Sequence, residues 1–308
     1  MSFFRSLQDA GHEAAEAGAH GAEAAEHGAG GFDLGETIMH HLVDSNEIEL
    51  PWGTLHLPDG WYVNLGPLGT VDLAPTKHVV LMLVAAILVF VVFSLLGRVV
   101  SRRSADEAPS GFANAIEATI LYFRDEVVRP NIGHGADAYT PYILTLFFFI
   151  LTMNLMGLVP WGGSATGNIS VTAALAICTF ILVEVSGMRA LGLKGYMGTI
   201  FYAPAGMNPV MRAMMLVIMT PVEFLGKLTK PFALAVRLFA NMTAGHTLIF
   251  ALGGLIFVFS GLAATGVGVG STLLASAIMV LEVFVAFLQA YIFAMLTAVF
   301  VGLIRHAH

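Results

Sequence analysis

Long uncharged apolar stretches alternate with short charged knots along most of this chain. The stretch from Val79 to Leu96 carries no charge. At 1.5 Å per residue it nearly matches a hydrocarbon core of about 30 Å, which predicts a spanning helix. Between residues 109 and 132, Phe112, Ile116, Ile120 and Phe123 recur every three or four positions with charges on the other faces. That spacing predicts an amphipathic helix lying on the cytoplasmic interface. From Ala138 to Val183 there is again no Asp, Glu, Lys or Arg, and Pro160-Trp161-Gly162-Gly163 interrupts the run. Two spans fit, about 140–159 and 168–187, joined by an outer loop.

The last third exceeds the usual span length. From about Pro209 to Leu252 the pattern stays helical and apolar over roughly 65 Å, and Ser271–Ile304 would add about 50 Å by the same arithmetic. Either each run is broken, with Pro221 and Pro231 permitting kinks, or each helix lies steeply tilted. The stretch 253–270, rich in glycine and alanine, is expected to link the two near the outer face. The pattern as a whole predicts an all-α integral membrane protein with about five embedded helices and one interfacial helix. The last two embedded helices form an over-long, tilted hairpin.

Charge orients this layout. Arg98, Arg102 and Arg103 follow the first span, Arg189 and Lys194 follow the third, and Arg305, His306 and His308 end the chain. Basic residues gather on the cytoplasmic side, so the C-terminus is expected inside and the N-terminus outside. The start MSFFRSLQDAGHEAAE holds no apolar core long enough for a cleavable signal peptide, so the internal segments are expected to drive insertion. With no transit-type leader apparent, the expected location is a bacterial inner membrane.

Composition narrows the class. Of 308 residues, 57% are hydrophobic and 11% charged, against about 25% charged in soluble domains, and mean hydropathy is +0.80. The net charge of -7 leaves no basic surface for a nucleic acid. Cys178 is the only cysteine, which excludes a disulfide framework, and its apolar neighbours predict inert packing. Residues 1–47 are an Ala-, Glu-, Gly- and His-rich tail that cannot bury a core and is expected to be mobile outside the membrane. His12, His20 and His27 lie there at spacings that match no closed zinc motif, and no metal is expected. In residues 48–75, IELPWGTLHL and GWYVNLG flank Pro58-Asp59-Gly60, which predicts a small hairpin outside the membrane. Residues 76–308 form the membrane domain.

Within that domain a few polar residues stand out. Arg237 sits in KPFALAVRLFANMTAGHTLIF, and no charged residue follows until Glu282. Its guanidinium keeps its proton, and holding it in a bilayer costs several kcal/mol or more. It is either a snorkelling helix-end residue or a functional one. At 100° per residue, Asn241 shares nearly its face, Glu223 lies about 40° away, and His246 points roughly 180° round. On the last helix Glu282 and Gln289 share one face, and a hairpin could bring Glu282 towards His246. Asn154 either lines a polar path or bonds a neighbouring helix. A carboxylate, an imidazole, amides and a fixed positive charge in lipid-embedded helices suit a proton path, while an ion-pair network serving structure alone is the competing reading.

At these residues the chain resembles subunit a of the F-type ATP synthase. KPFALAVRLFANMTAGHTLIF resembles the family's arginine-bearing helix, LEVFVAFLQAYIFAMLTAVF its final helix, and LTMNLMGLVPW the helix before its outer loop. The resemblance covers about residues 76–308. It implies a proton-translocating stator with two offset half-channels against a ring of c subunits, anchored by the peripheral stalk (subunit b) and through these joined to the catalytic F1 head. Arg237 matches the arginine that separates the half-channels, Asn241 the asparagine beside it, and Gln289 a glutamine that helps hold the arginine. His246 and Glu282 match two uptake-side positions that some members occupy in the opposite order. Asn154 matches a channel-lining asparagine, and Glu223 an acidic residue near the cytoplasmic outlet. Some members carry a carboxylate where this chain has Gly157, so the uptake path here must use water or other polar groups at that depth. Ala240, where glycine is frequent in the family, is a milder change.

The chain would thus act as a subunit of an H+-transporting ATP synthase. It has no GxxxxGK[ST] loop, so no nucleotide site and no cofactor are expected in it. The rival readings are a stand-alone secondary cation transporter, which would be expected to show paired internal repeats, and a purely structural membrane scaffold. No second copy of the arginine helix is present in the sequence.

Overall fold

The computed structural model describes residues 47–50, 53–58, 60, 62–64, 70–72, 74, 76–102, 111–159, 163–201, 208–258 and 261–306. Of the tail expected over residues 1–47, only Glu47 is among these; its three histidines and Pro160–Gly162 lie outside them. Strands β1 (Glu47–Leu50) and β2 (Gly53–His56) pair antiparallel, as do β3 (Tyr62–Asn64) and β4 (Thr70–Asp72). The sequence placed one hairpin about Pro58-Asp59-Gly60. The ladders instead close within each flank, and Pro58–Gly60 falls between two separate hairpins. A turn signal marks where a chain can reverse; which strands pair is decided by the residues facing one another across the ladder.

Helix α1 runs Lys77–Ser101, α2 Phe112–Tyr122, α3 Arg129–Ile132, α4 Thr140–Gly157, α5 Ile169–Ile200, α6 Pro209–Val258 and α7 Gly261–Arg305. Among the described residues, α1, α4, α5, α6 and α7 are long and apolar enough to cross a membrane. Pro221 and Pro231 lie inside α6 without ending it, and α7 begins within the glycine- and alanine-rich stretch expected to be a link. Both over-long runs are therefore continuous helices. At Gly192 (φ 70°, ψ 165°) the α5 backbone leaves helical geometry. Such a positive φ suits glycine, which has no Cβ to clash.

Two compact units make up the chain. The larger holds Asp44–Met242 and Val283–His308; the smaller holds Thr243–Glu282 among the described residues. In the larger, Phe123, Phe147, Ile150, Met153, Leu238 and Phe293 are buried together. Ala286, Ala290, Ala294 and Ala298, four residues apart on one face of α7, are buried with them. Lipid is as apolar as leucine, so embedded helices hold together by close packing and hydrogen bonds, and small residues permit that approach. Gly302 is the extreme case, since a Cβ there would overlap the Asn131 carbonyl.

The amphipathic segment divides. Phe112 is exposed, as expected of an interfacial face, but Phe123, Val127, Val128 and Ile132 are buried. Phe123 packs on Phe147 (4.5 Å between ring centroids) and Tyr291 (5.7 Å). Between α2 and α3 the backbone widens into a π-helical turn, Phe123–Val128. Pro130 follows it; proline brings no N–H and crowds the carbonyl four residues back, and a wider turn relieves that crowding. Beside it, Arg129 bridges Asp125 (2.7 Å) and Asp137 (2.9 Å).

α1 reverses the order of a soluble helix. Its buried residues are Lys77, His78 and Ala85, while Leu83, Ile87, Phe90, Val91 and Leu95 face outward, as suits a helix bathed in lipid. Cys178 on α5 is exposed too, not packed inside as its apolar neighbours suggested.

Candidate functional site

Arg237 lies on an exposed face of α6. Ala233, Ala240 and Asn241, all exposed, share that face within about one turn on either side. No carboxylate or other acceptor binds its guanidinium among the described residues. Its backbone carbonyl receives a long contact, 3.4 Å, from Nε2 of the buried Gln289 on α7. Gln289 thus meets Arg237 through the main chain, and the charged end stays free. Around the arginine's stem, Leu234, Leu238, Ile292 and Phe293 complete a small crevice.

Asn154 is fully buried at the inner face of α4. Its Nδ2 donates to the Ala286 carbonyl of α7 (3.4 Å), and its Oδ1 accepts from the Thr166 hydroxyl (2.8 Å). The Ser164 hydroxyl then donates to Thr166 (2.9 Å), because the Thr166 proton is already committed to Asn154. The Ser164 carbonyl accepts from Nδ1 of the buried His78 on α1 (2.9 Å). Asn154 therefore ties α4 to α7 and to the segment before α5. This region also accounts for Gly157: a Cβ there would come within 2.7 Å of the Ser164 Cβ and 3.0 Å of the Met242 Cε. The Ser164 side chain and Met242 thus leave little room for any side chain at Gly157.

In the smaller unit, Glu282 of α7 lies against the backbone of Gly245, the residue before His246, and a Cβ on Gly245 would overlap the carboxylate. His246 stacks on Phe250 (6.4 Å). Its Nε2, Glu282 Oε2 and Thr243 Oγ1 are each buried without a protein hydrogen bond among the described residues. The structure thus brings Glu282 to the turn that carries His246, without a direct bond between them.

Glu223 lines a cavity of about 230 Å³ between α5, α6 and α7. Beside it lie Glu184, Tyr196 and Thr199, which sequence reasoning passed over. Tyr196 donates its hydroxyl to Glu184, and Lys227 Nζ lies 3.5 Å from Glu184 Oε2 and 3.3 Å from Thr199 Oγ1. Lys227 also sits 4.3 Å above the Tyr196 ring. The side chains of Lys227 and Glu184 are only 11% and 12% exposed. One signal was available in the sequence: Glu184 is the first charge after the uncharged run from Ala138.

The profile of the family described as ATP synthase A chain matches residues 79–302. The chain belongs to the ATP synthase subunit a family. It is 45% identical to ATP synthase subunit a 2 of Chlorobaculum tepidum over 87% of this chain and 72% of the relative. It is 42% identical to ATP synthase subunit a 2 of Prosthecochloris aestuarii over 96% and 86%. ATP synthase subunit a of Anaeromyxobacter dehalogenans matches at 44% over 90% and 73%. Membership and the five apolar helices make this chain a multi-pass membrane protein of the proton-translocating sector.

Proposed function

We propose that this chain forms two offset half-channels against a ring of c subunits, with Arg237 as the separator. The observation that carries the reading is the exposed, unpaired guanidinium of Arg237, beside which the same face offers only Ala233, Ala240 and the neutral Asn241 within about one turn. A permanent charge in such a place calls for a counter-charge supplied from outside the chain. A ring carboxylate passing in front of it would be driven to ionise and give up its proton, and the arginine itself cannot relay that proton. Ala233 and Ala240 leave room beside it for a partner helix to come close. Asn241 shares the face, and Gln289 steadies the main chain behind it.

On the uptake side, His246 and Glu282 exchange protons with water, and the buried atoms without protein partners suit such a role. Asn154 would belong to the uptake side as well, as the resemblance implies. On the release side, Glu223 opens into the cavity between α5, α6 and α7. The peripheral stalk (subunit b) would hold the chain against the ring, and the F1 head would make ATP. The N-terminus would lie outside and the C-terminus in the cytoplasm of a bacterial inner membrane.

Arg237→Lys in the assembled complex tests the separator. Lysine keeps the charge but can be neutralised in a dry site, so ATP-driven acidification of inverted vesicles should be abolished. Normal acidification would remove Arg237 from the role.

A further inference from the structure

We propose that Glu184 is a proton relay on the release side, held at the cavity wall by Tyr196 and Lys227. The proposal rests on the reading that protons leave past Arg237 towards Glu223, and adds a group which that reading does not contain.

Geometry is the first argument. In a straight helix residues 184 and 196 would stand about 18 Å apart along the axis. They meet because α5 breaks at Gly192, where φ is 70°, so that residues 193–200 can turn back and the Tyr196 hydroxyl can reach the Glu184 carboxylate. That break brings Tyr196 and Thr199 to the same few ångströms as Lys227.

Chemistry is the second argument. A static lock between two helices would be best served by a close, fully bonded pair, because burying two charges is otherwise costly. Here Lys227 stands 3.5 Å from the carboxylate and has two other partners, the Thr199 hydroxyl and the Tyr196 ring. The lysine stays satisfied while Glu184 is protonated, and it favours ionisation again when the proton departs. The charged and titratable groups facing Glu184 across the cavity are Lys227, Lys230 and Glu223 from α6 and Tyr196 from α5 itself; α7 contributes Phe300, Leu303 and Ile304, which do not titrate. A proton binds one Glu184 oxygen from the Arg237 side and leaves from it to water in the cavity. One proton enters, one leaves, and no other reactant takes part.

The test uses the assembled complex in inverted vesicles. Glu184→Gln should lower ATP-driven acidification by about tenfold or more, the lower part of what a placed proton-transfer group contributes, while Glu184→Asp should retain most of the rate. The double variant Glu184→Gln with Lys227→Gln removes both charges and keeps the packing. A lock would be restored by it, whereas a relay would stay lost. Pumping at the wild-type rate by either glutamine variant overturns the proposal. Tyr196→Phe leaves the ion pair intact and guards against a glutamine variant that fails to assemble. It should shift the pH profile of pumping, and an unchanged profile also overturns the relay. Arg237→Lys run in parallel separates the two ideas. If it pumps, the release-path reading itself fails. If it is inactive while Glu184→Gln pumps normally, the relay alone is lost.

Discussion

Arg237 and Lys227 are ten positions apart on the same helix, and the protein treats them in opposite ways. The Lys227 side chain is largely enclosed, and a carboxylate, a hydroxyl and an aromatic ring from α5 surround it. Arg237 is exposed, and its charged end meets no acceptor among the described residues. A buried charge left alone costs several kcal/mol, so a fold that keeps Lys227 inside must surround it with partners, and α5 supplies three. An outward charge on an apolar face makes no such demand on its own chain, and its partner must come from elsewhere. Two further cases complete the comparison. Glu282 and His246 are half-buried, each with one enclosed polar atom unsatisfied among the described residues, and Arg129 with Asp125 and Asp137 is paired but exposed.

The largest expected effect separates function from stability. Arg237→Ala should abolish ATP-driven proton pumping yet leave the thermal unfolding midpoint of the purified complex unchanged, because no internal contact of the guanidinium is lost. A lowered midpoint would mean that the arginine also holds the fold. Lys227→Met should do the reverse in kind. It strands the Glu184 charge and should destabilise by about 3 kcal/mol, seen as a lower denaturant midpoint, with recovery when Glu184→Leu is added.

Gly245→Ala sharpens the third case. The added methyl would displace the Glu282 carboxylate, so proton uptake should slow while the amount of assembled complex changes little. A double-mutant cycle of Gly245→Ala with Glu282→Gln should be strongly non-additive in flux. Additive losses would show that Gly245 acts elsewhere.

The smallest effect belongs to the exposed ion pairs. A hydrogen bond from Arg124 first, then the nearby arginine charges, holds the Asp125 carboxyl below its usual 3.8, and Arg129 does the same for Asp137. For a carboxyl lowered in the folded state, the stabilisation is complete above the usual value and fades as pH falls through the lowered one. Asp137→Asn should therefore leave thermal stability between pH 6 and 8 almost unchanged. It should also weaken the loss of stability on acidification below about pH 4. A large change at neutral pH would contradict this.

Much of this was legible along the chain because lipid imposes a simple rule. An uncharged run of the right length must be a helix, and α1 and α4 follow it closely. The arginine face was legible as well, since Arg237 and Asn241 are four residues apart and both turn out exposed. Glu184 was not, because its partners depend on a backbone break at Gly192 and on which helix packs against α5. Neither leaves a periodic mark. The start of α7 was hidden for another reason: glycine and alanine in a run read as a link, yet in lipid an unpaired backbone costs more than glycine's weak helix preference. The direct tie between Asn154 and Ala286 was half legible, as an open choice between lining a path and bonding a helix.

The lone thiol gives the molecule a practical property. Cys178 is the single cysteine of the chain, and it faces outward from the apolar part of α5. A nitroxide or fluorophore attached there would meet no competing thiol within this chain. Its quenching by lipid-borne and by water-borne agents would gauge the depth of α5 in the native sequence.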